Sequence, residues 1–170
     1  MLRKKLHLYQ KNMEQHLWKD EGEVLSIRDS VTLVVGLGDI GSQFAEKMHA
    51  LGSEVIGVRK HKAARPDYIK EVCQQEDLDR LLPKADIVAC CMPGTGETAG
   101  MFDLERMKKM KPGAILINVG RGSLIPGEAL KKMLVEGHLG GAILDVTEEE
   151  PLPADSPLWD LPNLLITPHV

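Results

Sequence analysis

Aromatic side chains are scarce in this 170-residue chain: two each of Phe, Trp and Tyr make up 4% of it. None are interleaved with basic residues as stacking platforms, and a formal charge of −4 supplies no general basic field. Both scarcities argue against nucleic acid as a partner. Cysteine is also sparse. Cys73, Cys90 and Cys91 are odd in number and show no C-x-x-C spacing, so they suggest neither a disulfide framework nor a zinc site. That usage fits a reducing cytoplasm and no bound metal. No apolar run approaches the roughly 18 residues needed to cross a bilayer. The opening "MLRKKLHLYQKN" lacks the unbroken apolar core of a signal peptide. The expectation is a cytoplasmic protein without a membrane partner.

What is present is ordinary globular material, 43% hydrophobic and 27% charged, enough for one domain with a substantial core. Over residues 1–23, Leu2, Leu6, Tyr9, Met13 and Leu17 recur at steps of three or four among polar residues. This is the pattern of an amphipathic connector or packing helix, and its apolar stripe needs a partner surface. From "VTLVV" onward, over residues 24–170, short β-branched runs alternate with helical stretches, the rhythm of βαβ units. The pattern predicts strands near 31–35, 54–58, 69–73, 86–91, 114–119, 141–146 and 164–167. Helices are expected near 40–51, 76–82, 103–110 and 127–136. Nearly continuous apolar runs such as "AILINV" and "DIVACC" fit strands covered by helices on both faces.

Directly after the first predicted strand, "VTLVVGLGDIGSQFAEKMHA" places Gly36, Gly38 and Gly41 as G-x-G-x-x-G at the opening of a helix. In that context the first glycine permits a tight turn, the second lets a pyrophosphate approach the backbone, and the third lets helix and strand pack closely. The first helical positions, Asp39 and Ile40, offer free N–H groups and the positive end of the helix dipole to phosphates. The fold class is therefore a doubly wound, Rossmann-type α/β domain, a mostly parallel sheet of about seven strands with helices on both faces.

The second strand ends where an acidic residue ordinarily takes the ribose 2′-hydroxyl of NAD. Here the chain reads "VRKHKAAR", with no carboxylate between Glu54 and Asp67. Instead Arg59, Lys60, Lys62 and Arg65 stand close together with His61. Guanidinium and ammonium groups pair with a 2′-phosphate, so Arg59 and Lys60 favour NADP over NAD.

Four segments occur together in order: "VGLGDIG", "INVGRGSL", "AILDVTEEEPLP" and "SPLWDLPNLLITPH". With these motifs the chain resembles the D-isomer-specific 2-hydroxyacid dehydrogenases from about residue 24 to its end. The resemblance implies hydride transfer between NAD(P)(H) and a small D-2-hydroxy acid or 2-keto acid. It implies that Arg121 anchors the substrate's carboxylate and carbonyl, that His169 is the acid/base, and that Glu150 orients it. Asp145 is expected at the nicotinamide end. The resemblance further implies that Met92 and Pro93 line the adenine side, with Thr98 nearby, and that Val119 and Gly120 sit under the nicotinamide ribose. Cys90 and Cys91 should be chemically quiet, since hydride transfer needs no thiol.

That family also has a second domain forming the other wall of the cleft. With about 30 residues before the first strand and none after Val170, the chain reads as the cofactor-binding domain with the substrate domain absent. Such a domain should bind nucleotide but turn over substrate poorly, because domain closure positions the keto acid and excludes water. The full-length protein is expected to be a homodimer. The rival reading is a non-catalytic NAD(H)-sensing scaffold like the corepressor relatives of this family. Formate dehydrogenases, which carry glutamine at the Glu150 position, are disfavoured.

Overall fold

The run "VTLVV" becomes an inner strand of a sheet because β-branched residues crowd a helix but suit a pleated, doubly covered surface. In the computed structural model, which describes residues 1–61 and 64–170, this strand β1 (Val31–Val35) is buried at every position after the first. It pairs in parallel with β2 (Glu54–Val58) on one side and β4 (Ile87–Cys90) on the other. With β3 (Glu71–Cys73), β5 (Ile115–Asn118), β6 (Gly141–Leu144) and β7 (Leu164–Ile166), all seven parallel strands run in the order β3-β2-β1-β4-β5-β6-β7. Each predicted strand is present. β3, β4, β5, β6 and β7 are shorter than expected, because ladder pairing covers only part of each predicted run.

Alternate residues of β1 point into different cores, as a period of two requires. Leu33 and Val35 join a larger cluster with Phe102, Leu116, Leu130 and Met133, whereas Val34 joins a smaller one with Ala45, Met48 and Val55. α2 (Asp39–Ala50) covers the smaller cluster through Gly41, Ala45 and Met48. α3 (Leu78–Leu81), α4 (Leu104–Lys108) and α5 (Gly127–Val135) cover the larger one through Leu78, Met107 and Leu130. The helix expected over 76–82 is a composite, with a 3-10 turn on each side of α3 and Pro83 inside the second turn. Proline lacks the N–H that would continue an α-helix.

The opening segment departs from expectation. It breaks into a 3-10 turn (Leu2–Lys4) and α1 (Leu6–Glu14), separated by Lys5 in the left-handed region at φ 53°. Leu2 is buried against the sheet, but α1 buries no residue, and Leu6, Met13 and Leu17 of the predicted stripe are exposed. Apart from Leu2, the stripe does not pack into the core of this domain.

The strand order reverses between β1 and β4. Connections leave the two strands in opposite directions there, opening a crevice at the carboxyl edge of the sheet, where ligands of open α/β sheets bind.

Candidate active site at the carboxyl edge of the sheet

The turn after β1 is shaped by close backbone approaches. Gly36 has φ +101°, and a Cβ there would stand 2.8 Å from the Cys91 carbonyl carbon and the Met92 nitrogen. A Cβ at Gly41 would lie 1.9 Å from the Gly36 carbonyl oxygen, so any side chain would push α2 off the turn. At Gly38, by contrast, a Cβ would meet nothing within 4 Å. That opening faces a cleft of about 370 Å³ whose lining includes Gly36, Gly38, Arg59, Lys60, Pro93 and Thr98. Asp39 and Ile40 sit exposed in the first turn of α2.

Arg59 is half-buried, and its Nε is buried with no hydrogen-bond partner among the described residues. Lys60 is exposed and pairs at 2.6 Å with Glu97 from the loop after β4. Lys62 lies outside the described residues. A cradle open at Gly38, flanked by a guanidinium whose Nε lacks a hydrogen-bond partner among the described residues, fits a dinucleotide phosphate. Thr98 lines the cleft, but its hydroxyl is used within its own loop, donating to the Pro93 carbonyl at 3.0 Å and accepting from Thr95 N–H at 2.8 Å. It therefore shapes the loop.

After β5, Asn118 is fully buried and fixes the next turn. Its Oδ1 accepts from Gly120 N–H at 3.1 Å, and its Nδ2 donates to the Arg121 carbonyl at 2.8 Å. Val119 is half-buried, with its N–H on the Cys90 carbonyl. Gly120 is pressed against the Met92 carbonyl oxygen, 2.4 Å from where its Cβ would be. Arg121 is exposed, with its guanidinium on the Gly120 carbonyl at 2.7 Å.

The third group comes from the ends of β6 and β7. His169 Nδ1 lies 2.7 Å from Glu150 Oε2. Glu150 Oε1 accepts from Thr147 N–H at 3.0 Å, so both carboxylate oxygens are engaged. These contacts, the His169 hydrogen bond foremost, hold the Glu150 carboxyl below its ordinary range. His169 sits at φ 57°, uncommon for a residue with a side chain. The chain around it is gripped by Asp145 Oδ1, which accepts from the Thr167 hydroxyl at 2.5 Å and from Val170 N–H at 3.2 Å. These donors hold Asp145 low as well, Thr167 first. Asp145, Glu150 and His169 border a cavity of about 620 Å³, with Pro151 and Trp159 on its apolar side. No hydrogen bond joins Arg121 to this pair among the described residues.

The sequence profile described as "D-isomer specific 2-hydroxyacid dehydrogenase, NAD binding domain" matches residues 1–170. The chain belongs to that family. The chain is 42% identical over 140 residues to glyoxylate/hydroxypyruvate reductase B of Pectobacterium carotovorum, covering 81% of this chain and 43% of that protein. It is similar to a solved 2-hydroxyacid dehydrogenase family protein from Aeromonas salmonicida, at 41% identity and TM-score 0.90, covering 99% of this chain and 54% of that one. A probable 2-hydroxyacid dehydrogenase from Rhizobium etli, solved with NADP, HEPES and L(+)-tartaric acid, is 33% identical with TM-score 0.92 and the same coverage. The chain thus spans less than half the length of that curated relative, and about half of these solved chains.

Several positions at this sheet edge escape sequence reasoning. Gly94 lets the Arg121 stem pass, since a Cβ there would stand 3.0 Å from Arg121 Cβ and Cγ. Gly122 is pressed so tightly onto the Thr147 carbonyl that a Cβ would sit 1.7 Å from it. Glu148 Oε2 accepts from Gly127 N–H at 2.5 Å, tying the Glu150 loop to α5. The one available signal was Asn118, a lone amide ending an apolar strand. Among the thiols, Cys90 is fully buried, and burial pushes Cys91 up to about 11. Among the described residues, no group of three or more His, Cys, Asp or Glu is placed to hold a metal ion. No helix there is long and apolar enough to cross a membrane.

Proposed function

We propose that this domain is the nucleotide-holding part of an enzyme that moves a hydride reversibly between NADP(H), or less readily NAD(H), and a small 2-keto or D-2-hydroxy acid. The observation that carries the reading is the 2.7 Å Glu150–His169 pair on the same sheet edge as the glycine cradle. When bound, a nicotinamide supplies or accepts the hydride. Gly36, Gly38, Asp39, Ile40 and Gly41 hold its phosphates, with Arg59 and Lys60 toward a 2′-phosphate.

The chain's own residues handle the proton and the charge. A carboxylate only accepts, so the His169 nitrogen facing Glu150 carries hydrogen, and the tautomer follows from that partner. Nε2 is then the nitrogen left to give a proton to the keto oxygen and to take it back in the reverse direction. Arg121, planar and permanently charged, suits the substrate's carboxylate and the oxygen on which negative charge develops. Asp145, with Oδ1 committed to the chain around His169, keeps Oδ2 for the nicotinamide end.

The relative named for glyoxylate and hydroxypyruvate makes those two acids the first to assay. Residues 1–23 act in this reading as a connector. The exposed Leu6, Met13 and Leu17 support homodimer packing in the full-length protein, in the cytoplasm. The test is reduction of either acid by NADPH in the full-length enzyme. Turnover should fall sharply in His169→Gln while NADPH still binds. Undiminished turnover, or a chain that binds neither nucleotide, overturns the proposal.

A further inference from the structure

The strand that ordinarily ends in a ribose-binding carboxylate, β2, ends here in Arg59 and Lys60. A carboxylate nevertheless reaches the same cleft from the opposite wall. Glu97, on the loop after β4 and 37 positions from Lys60 in sequence, places Oε2 2.6 Å from Lys60 Nζ. Both line the cleft into which Gly38 opens. Glu97 stands on a fixed turn, because the neighbouring Thr98 is only 7% exposed and braces the loop through Pro93 and Thr95.

The two cations at the end of β2 are therefore not equivalent. Arg59 Nε has no partner among the described residues, whereas the Lys60 ammonium is already engaged. That ammonium holds the Glu97 carboxyl below its usual range, so Glu97 is charged at neutral pH. A carboxylate in this place repels a 2′-phosphate but accepts a hydrogen bond from a 2′-hydroxyl.

We propose that Glu97 sets the cofactor selectivity of this cleft by competing with a nucleotide 2′-phosphate for Lys60. The inference rests on the dinucleotide reading above and names the residue that tempers its NADP preference. Lys60 and Glu97 are 61% and 70% exposed, so exchange of partners is easy. A pair this exposed is worth at most about fivefold in an equilibrium.

The experiment measures dissociation constants of NADPH, NADH, 2′,5′-ADP and 5′-AMP for the 170-residue chain by calorimetry. In Glu97→Gln, NADPH and 2′,5′-ADP should tighten by about three- to fivefold. NADH and 5′-AMP should stay level or weaken. In a Lys60→Gln background, the same Glu97 substitution should tighten NADPH by clearly less, only the direct repulsion being left to relieve. If wild type binds both nucleotides and Glu97→Gln leaves their ratio unmoved, the role of Glu97 is overturned while the dinucleotide reading stands. Tightening that persists in full without Lys60 means repulsion alone, and overturns the exchange. Binding of neither nucleotide by wild type overturns the parent reading itself.

Discussion

The two ends of the sheet's carboxyl edge are built by different means. The cradle after β1 is made of backbone, with glycines set so close to it that an added Cβ would stand 1.9 Å (Gly41) and 2.8 Å (Gly36) from backbone atoms, and with Val34, Val35 and Ala45 fully buried beneath. The pair at the other end is made of side chains on two loops, with His169 and Glu150 side chains 50% and 38% exposed. One end is held by the core and the other by a few hydrogen bonds. Function and stability should therefore separate at the second end, and coincide at the first wherever a glycine is closed in by backbone, as at Gly36 and Gly41.

The sharpest way to break that contrast is His169→Gln. In the full-length enzyme it should lower kcat/KM by about 10²–10⁴, the range of a lost general acid/base. Its melting temperature should barely move, because half of the side chain faces solvent. A large loss of stability would show that the pair belongs to the core after all. At the cradle, Gly41→Val should do the opposite, costing about 1–3 kcal/mol through overpacking. It should also abolish nucleotide binding, since Gly36 must move. Gly38→Ala sharpens the point. Its Cβ meets nothing in the protein, so thermal unfolding should change little while NADPH affinity falls. Intact affinity in Gly38→Ala would put the phosphates elsewhere.

Asn118 sits between the two regimes, a side chain that does the work of backbone. Asn118→Ala strands the Gly120 N–H and the Arg121 carbonyl. Leaving a buried polar group unsatisfied costs about 1–3 kcal/mol. Urea unfolding should show that loss, and KM for the keto acid should rise as the Arg121 turn loosens. Substitution without effect on either would remove Asn118 from the site.

This contrast also explains what could be read from sequence. The strand rhythm and the glycine spacing were legible because both are local: β-branched runs fold as strands, and a turn at φ +101° followed by a helix pressed on it asks for glycine at Gly36 and Gly41. The Glu150–His169 pair was accessible only through the resemblance, being 19 positions apart in sequence. Gly94, Gly122 and the Lys60–Glu97 pair were not legible at all. Each is dictated by a segment that folding brings alongside, and nothing in the local pattern marks them. The stripe over Leu2–Leu17 was misread as one helix because periodicity does not register the left-handed turn at Lys5.

The smallest effect expected is a pH dependence confined to the loop-held end. Glu150 has its carboxyl lowered by His169 and by the Thr147 N–H, relative to the ordinary 4.5 it has in the unfolded chain. A group depressed on folding binds its proton more readily when unfolded, so its contribution is fully present above 4.5 and lost as pH falls through the lowered folded value. The comparison to make is the melting temperature of wild type against Glu150→Gln from neutral pH downward. Wild type should keep a small advantage to below pH 4.5 and then lose it. At the cradle, Gly36, Gly38 and Gly41 carry no titrating side chain, so the loss from Gly41→Val should not vary with pH over the same window. An advantage that grows as pH falls below 4.5 would mean that Glu150 is better satisfied protonated, and that His169 does not hold it as a carboxylate.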